Sequence, residues 1–231
     1  MKQVKNFEQA HNFQMDEKFH QLNLGNIGNV VYWTKFFEMT KNISGDIVEC
    51  GIGRGRSLLI LCTLNYFFDK NEGGQRQIFG YDSFEGFPQP RIEDKSFRNP
   101  KKGDWKNSPS GKYEYTKEFI KQVLNEAHIP LNEINLTLTK GFFNDSLLNH
   151  PNRPIAMLHV DGDLYESHKS VLEILFDRVT KGGIIIFDDV MSKEDLEDPF
   201  PGGRVAVKEF LKEKYDSLKV SIGGTYYFIK K

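Results

Sequence analysis

Cysteine is nearly absent from this chain: Cys50 and Cys62 are the only two in 231 residues. Both fall inside apolar stretches, so they read as small buried fillers of a protein in a reducing cytoplasm, not as a disulfide framework. No Cys/His set has the spacing of a zinc site. An excess of charge is lacking too. The formal net charge is −1, from 31 basic and 32 acidic residues, so no global basic field argues for nucleic acid as a partner. No apolar run approaches the ~20 residues that a membrane span requires. The opening Met1-Lys2-Gln3-Val4-Lys5-Asn6 has no apolar core of the kind a leader needs, so neither secretion nor membrane insertion is expected. Repeats and low-complexity tracts are missing as well. What is present is enough for one large domain: 39% hydrophobic residues, with 19 Phe and 9 Tyr supplying large buried areas.

The chain is organised around Ile47-Val48-Glu49-Cys50-Gly51-Ile52-Gly53-Arg54-Gly55-Arg56-Ser57. An apolar pair ends in a carboxylate, a glycine-rich turn follows, and an apolar run from Leu58 to Phe68 comes after. That is a buried strand, a tight loop and a helix, the opening of a doubly wound α/β sheet. The glycines let backbone approach a ligand, and the helix start offers free N–H groups to an anion. Dinucleotide-binding folds open in a similar way, but Arg56 stands where their third glycine belongs. Glu49 at the strand end would repel a pyrophosphate and suits a cationic ligand such as the ammonium of S-adenosylmethionine (SAM). SAM is the reading the residues favour.

Ahead of this turn, residues 1–28 are polar with scattered aromatics (Phe7, Phe13, Phe19), and Val30, Trp33 and Phe37, with Val31 and Phe36 beside them, make an apolar face at helical spacing. Residues 1–43 are expected to form a helical arm, either packing cap or substrate lid, on a main domain of residues 44–231. Beyond the first helix, Asp69 to Gly74 is a loop. A second strand, Gln77 to Tyr81, delivers Asp82-Ser83, and an acid there is placed to accept from ribose hydroxyls, though turn-forming Asp is common at strand ends. Residues 88–115 form a long polar insertion with seven basic and four acidic residues, read as a lid or a solvated loop. Phe119 to Ala127 is helical. The third strand, Ile134 to Thr139, runs into Gly141-Phe142-Phe143-Asn144, where the aromatics could flank adenine and Asn144 could meet its amine, or could simply fill the core and cap a helix.

The fourth strand, Ile155 to Val160, ends at Asp161-Gly162-Asp163. A helix marked by Val171, Leu172, Leu175, Phe176 and Val179 follows, ended by Lys181-Gly182-Gly183. The fifth strand, Ile184 to Phe187, ends at Asp188-Asp189. The acidic loop 192–198, a helix from about Arg204 to Lys214, and a hairpin of 218–222 with 226–229 close the chain. The outline is a seven-stranded, mostly parallel sheet with helices on both faces and an antiparallel last strand.

Carboxylates therefore stand at four strand ends: Glu49, Asp82, Asp161 with Asp163, and Asp188 with Asp189. Like charges crowded at one rim repel each other, so something cationic should neutralise them. SAM serves Glu49, and a hard divalent cation serves Asp161, Asp188 and Asp189; all-oxygen ligation with retained water is the habit of Mg²⁺. His159, inside a strand, reads as a satisfied core residue before a ligand.

Six segments in order carry a resemblance to a known family: Ser44-Gly45-Asp46-Ile47-Val48-Glu49-Cys50-Gly51, Asp82-Ser83-Phe84-Glu85-Gly86, Gly141-x-Phe143-x-Asp145-Ser146-Leu147, Asp161-Gly162-Asp163-Leu164-Tyr165-Glu166-Ser167, Asp188-Asp189, and Pro201-Gly202-x-Arg204-x-Ala206-Val207. Together they resemble the macrocin O-methyltransferase (TylF/MycF/NovP-like) family over roughly residues 44–210. The resemblance implies a Rossmann-like class I SAM-dependent methyltransferase that uses Mg²⁺ to methylate a hydroxyl of a sugar or glycosylated metabolite. It implies metal binding by Asp161, Asp188 and Asp189, and Asp163 as general base. Glu49, Gly51, Gly53, Ser57, Asp82, Ser83, Phe143 and Asn144 would line the cofactor site. Members are commonly homo-oligomers, so at least a dimer is expected.

The chain departs from the family at Ile52-Gly53, in its short N-terminal region and in the 88–115 insertion; the last two would select the acceptor. A Mg²⁺-dependent catechol or phenolic methyltransferase is the nearest rival, but it usually employs a lysine near the first Asp, and none stands here before Lys169. An NAD-binding protein is opposed by Glu49 and the missing glycine, and a non-catalytic scaffold by the intact acids.

Overall fold

The computed structural model describes residues 24–72, 76–191 and 198–231. Residues 1–23 of the expected arm, with Phe7, Phe13 and Phe19, and most of the acidic loop 192–198 lie outside them. The sheet forms because short apolar runs are buried, most completely in the central strands, as parallel strands require. β1 (Asp46–Cys50) and β4 (Ile155–Val160) are buried at every position. With β2 (Ile78–Asp82), β3 (Leu136–Lys140), β5 (Val179–Met191), β6 (Lys219–Val220) and β7 (Thr225–Ile229) they build one seven-stranded sheet in the order β3-β2-β1-β4-β5-β7-β6. β1 to β5 pair in parallel, and β7 runs antiparallel to β5 and β6. The doubly wound outline is the expected one. The switch of winding at β1 and β4 puts their carboxyl ends side by side, where such sheets bind ligands.

Helices cover both faces. On one side α1 (Leu24–Thr40), α2 (Arg56–Glu72) and α3 (Lys117–Glu126) pack with Ile47, Ile78, Met157 and Ile184. On the other, α5 (Tyr165–Leu175) and α6 (Pro201–Leu211) pack with Val48, Leu158, Ile185 and Phe187. A short α4 (Phe143–Ser146) follows β3. Fully buried Phe37, Phe187, Leu58 and Leu61 each contribute about 1.5–3 kcal/mol of apolar burial.

Local readings shift in several places. α1 buries Tyr32, Trp33, Phe36, Phe37 and Thr40 and leaves Val30 and Val31 half exposed. The face is rotated from the expected one because edge-to-face ring contacts of Tyr32, Phe36 and Trp33 with each other, Tyr227 and His159 decide it. The helix of the fourth repeat starts at Tyr165 and ends at Leu175, and Lys181-Gly182-Gly183 lies inside β5. Gly182 there has φ of 84° and passes the strand over Ile43. α6 starts at Pro201, an N1 proline, and ends at Leu211. The first arm of the closing hairpin shrinks to Lys219–Val220.

The 88–115 insertion is ordered and anchored. A 3-10 turn at Ile92–Asp94 and a bridge between Asn107 and Glu114 give it structure. Asp94 is almost wholly buried, and its Oδ1 accepts from the Tyr165 amide at 2.7 Å while Oδ2 accepts from the Arg91 amide at 2.7 Å. Tyr165 begins α5, so the insertion caps the helix that leaves the Asp161-Gly162-Asp163 loop.

Candidate active site

At the carboxyl ends of β1, β2, β4 and β5 a cavity of about 750 Å³ opens, a size typical of small-molecule sites. Gly51, Gly53, Ser57, Asp82, Ser83, Phe143, Asn144, Asp161, Asp163, Asp188 and Asp189 all line it. Eleven of the twelve site residues expected from sequence thus meet in one place. Glu49 is the twelfth, and it does not line the cavity. It is fully buried in β1, with Oε1 3.1 Å from His159 Nδ1 and Oε2 without a partner.

The glycine turn is dictated sterically. Gly51 has φ of 99°, and a Cβ there would stand 1.5 Å from the Asp161 carbonyl oxygen, so β1 and β4 can only come this close through glycine. Beyond it the amides of Ile52 and Gly53 donate to Asp82 Oδ2 at 2.9 and 3.0 Å, and the Phe84 amide donates to Oδ1 at 2.7 Å. Ser83 is absorbed in its own turn, donating to the Gly86 carbonyl at 2.7 Å.

The acids of β4 and β5 divide. Oxygens of Asp161, Asp163 and Asp189 lie within 4.8 Å of one another, the arrangement of a cation site. Asp163 takes φ of 56°, and its amide donates to Asp189 Oδ2 at 2.7 Å; Asp is among the few residues that tolerate this backbone region. Burial and mutual repulsion push the carboxyls of Asp161, Asp163 and Asp189 well above the usual range. Asp188 stands apart. Burial would raise it, but His159 and Arg56 hold it below the ordinary carboxylate value.

His159 is fully buried in β4 as expected, with Nδ1 paired to Glu49 but one ring nitrogen unsatisfied. It lines the cavity, and its Nε2 lies 3.9 Å from Asp188 Oδ1 without a hydrogen bond. Burial disfavours its charge, yet the carboxylates of Asp188 and Glu49 outweigh that and push its pKa up to about 10. Two acids, Glu49 and Asp188, thus face it from the neighbouring strands. The signal was available: Glu49 and His159 are register partners on adjacent parallel strands, and His159 shares a strand face with Asp161 by the period of two. Two further walls come from the regions expected as arm or lid, though none of their residues was named for the site. α1 contributes Gly28, Asn29, Tyr32 and Trp33, and the insertion contributes Trp105, Lys106 and Tyr115. Trp105 has φ of 64°, costly for a bulky residue, and the Arg98 guanidinium lies over its ring at 5.4 Å.

The model of the macrocin O-methyltransferase (TylF) family matches residues 36–215. The chain belongs to that family. The match covers every element that supplies a cavity carboxylate. Among relatives, demethyldecarbamoylnovobiocin O-methyltransferase of Streptomyces niveus is 29% identical over 157 residues, 68% of this chain and 57% of that protein. Mycinamicin III 3''-O-methyltransferase of Micromonospora griseorubida is 24% identical over 169 residues, 73% of this chain and 61% of that protein. The chain thus spans less than two thirds of the length of these relatives. The crystal structure of the calicheamicin methyltransferase CalS11 has a similar fold, with a TM-score of 0.76 at 22% identity, covering 96% of this chain and 88% of that one.

Proposed function

We propose that the protein is a SAM-dependent, Mg²⁺-dependent O-methyltransferase acting on a hydroxyl of a sugar or glycosylated metabolite. The observation that carries this is the convergence of Asp161, Asp163 and Asp189 in the same cavity as the glycine turn and Asp82. Three half-buried carboxylates held together are stable as anions when a cation sits among them. An all-oxygen set fits a hard divalent ion. A relative's name supplies the acceptor class, that of a Streptomyces olivaceus 4'-O-methyltransferase of a rhamnosyl-tetracenomycin.

The donor side fits SAM. Asp82, which lines the cavity, retains a lone pair on Oδ1 after its three amide bonds. The same bonds weigh against a dinucleotide. In dinucleotide folds the glycine-loop amides cradle a pyrophosphate, whereas here those of Ile52 and Gly53 are given to Asp82. The catechol reading lacks its lysine: Lys169 Nζ sits over the Tyr165 ring at 5.8 Å and Lys169 does not line the cavity.

Following the resemblance, Asp161, Asp188 and Asp189 would hold Mg²⁺, which when bound lowers the pKa of an acceptor hydroxyl. Asp163, raised in basicity by burial, takes the proton as the oxygen attacks the methyl group in line with the departing sulfur. The glycine turn and Asp82 fix the donor, and much of the rate gain comes from holding the two partners in that line. The test is methyl transfer from labelled SAM to a panel of nucleotide sugars, glycans and glycosylated metabolites, with Mg²⁺ and with EDTA. Failure of every acceptor, with no binding of SAM in calorimetry, would overturn the proposal.

A further inference from the structure

A methyl donor of this kind carries a free carboxylate as well as its sulfonium and ammonium, and the cavity is unfavourable for a carboxylate. Asp82, Asp161, Asp163, Asp188 and Asp189 all face it, and like charges repel strongly where water is scarce. Three Lys or Arg side chains line the cavity among the described residues: Arg54, Arg56 and Lys106. Lys106 stands on the insertion and is paired with Glu114 at 2.8 Å. Arg54 and Arg56 follow the glycine turn, and neither has a hydrogen bond or ion pair to any described residue.

Arg56 is the better placed of the two. It is partly buried and begins α2, whereas Arg54 is exposed. Burial and the neighbouring Arg54 disfavour its charge, while Asp188 and Asp161 favour it from a distance. A guanidinium within electrostatic reach of two carboxylates, yet bonded to neither, keeps its planar fork of donors open. Its own turn adds further donors. The first bond of the α2 ladder runs from the Leu59 amide to the Gly55 carbonyl at 2.9 Å, so the amides of Arg56, Ser57 and Leu58 precede that ladder. The positive end of a 17-residue helix points the same way.

We infer that Arg56 is the carboxylate-holding residue of the donor site: its guanidinium takes the methionyl carboxylate of SAM, with Arg54 as a weaker outer partner. The inference rests on the SAM reading above. Two other roles compete with it. Arg56 could serve only to balance the charge of Asp188 and Asp161, or it could hold an anionic group of the acceptor.

Ligand truncation separates these roles. Decarboxylated SAM keeps the sulfonium and the ammonium and lacks only the carboxylate. By calorimetry the wild-type protein should prefer SAM over decarboxylated SAM by roughly 10- to 100-fold, the range of one charge-assisted pair. In Arg56→Gln that preference should collapse to about threefold or less, with decarboxylated SAM bound at least as well as by the wild type. Arg56→Lys should regain part of the preference, and Arg54→Gln should keep most of it. A full preference in Arg56→Gln overturns the inference and leaves the arginine to the acceptor. Equal weakening of both ligands overturns it too, as the sign of charge balance or lost fold, and a thermal melt of the variant tells those two apart. Wild-type protein that binds neither compound is a separate failure, that of the SAM site itself.

Discussion

The Asp82 carboxylate accepts the Gly53 amide at 3.0 Å, so the acid at the end of β2 clamps the glycine turn at the end of β1. With the Ile52 and Phe84 amides on the same carboxylate, Asp82 shapes this wall of the cavity before any ligand arrives. Asp82→Ala should therefore do two things at once. It should lower the melting temperature, because three amides lose a charged acceptor, and weaken SAM binding by on the order of 1.5–3 kcal/mol. Calorimetry and a thermal melt on the same sample check both. Unchanged SAM affinity would remove Asp82 from the donor site.

Stability should fall on the acid side through His150. This residue is buried, its Nδ1 lies 2.8 Å from the Tyr81 hydroxyl and its Nε2 has no partner. Burial, aided by Arg178, lowers its pKa from 6.5 to about 4. A histidine depressed in the folded state binds its proton first in the unfolded chain. Its contribution is thus fully present above pH ~6.5 and is lost as pH falls toward ~4, at most about 3 kcal/mol. Denaturant melts at pH 7 and pH 4.5 should differ less in His150→Asn than in the wild type. An equal difference in both would show that other groups carry the acid sensitivity.

The sheet was legible in the sequence because parallel strands buried on both faces leave largely apolar runs, as in Ile155 to Val160 with His159 its one polar residue, and the acids that follow mark the carboxyl ends. Boundaries were less legible where packing overrides local pattern. Gly182-Gly183 reads as a helix stop but lies within β5, because the strand must cross the Ile43 side chain there. Asp94 reads as one more charge in a polar insertion, and nothing local reveals that it reaches the start of α5, 71 residues on. His159 was judged alone, although its meaning depends on Glu49 and Asp188, which flank it from two other strands.

That hidden anchor predicts a distant effect. Asp94→Ala removes both acceptors of the Tyr165 and Arg91 amides and should cost about 1–3 kcal/mol of stability. It should also loosen the Asp161-Gly162-Asp163 loop that α5 follows, so turnover should fall more than SAM affinity does. Asp94→Asn keeps one acceptor oxygen and should lie between. A variant that loses stability with turnover intact would make the insertion a packing element only.

The last prediction separates the acids. The resemblance gives the metal to Asp161, Asp188 and Asp189 and the proton to Asp163, whereas the geometry groups Asp163 with Asp161 and Asp189 and sets Asp188 toward His159. Chelation should abolish turnover and added Mg²⁺ should restore it. Asp163→Asn keeps size and tolerates the same positive φ, so the fold, SAM binding and Mg²⁺ binding should survive. Its rate should drop by roughly 10²–10⁴, the usual loss for a general base. Asp188→Asn and Asp161→Asn should instead weaken Mg²⁺ binding in calorimetry, and excess Mg²⁺ should partly rescue them. If excess metal restores Asp163→Asn while Asp188→Asn binds Mg²⁺ normally, then the geometric grouping is the ligand set and His159 holds Asp188 for the proton.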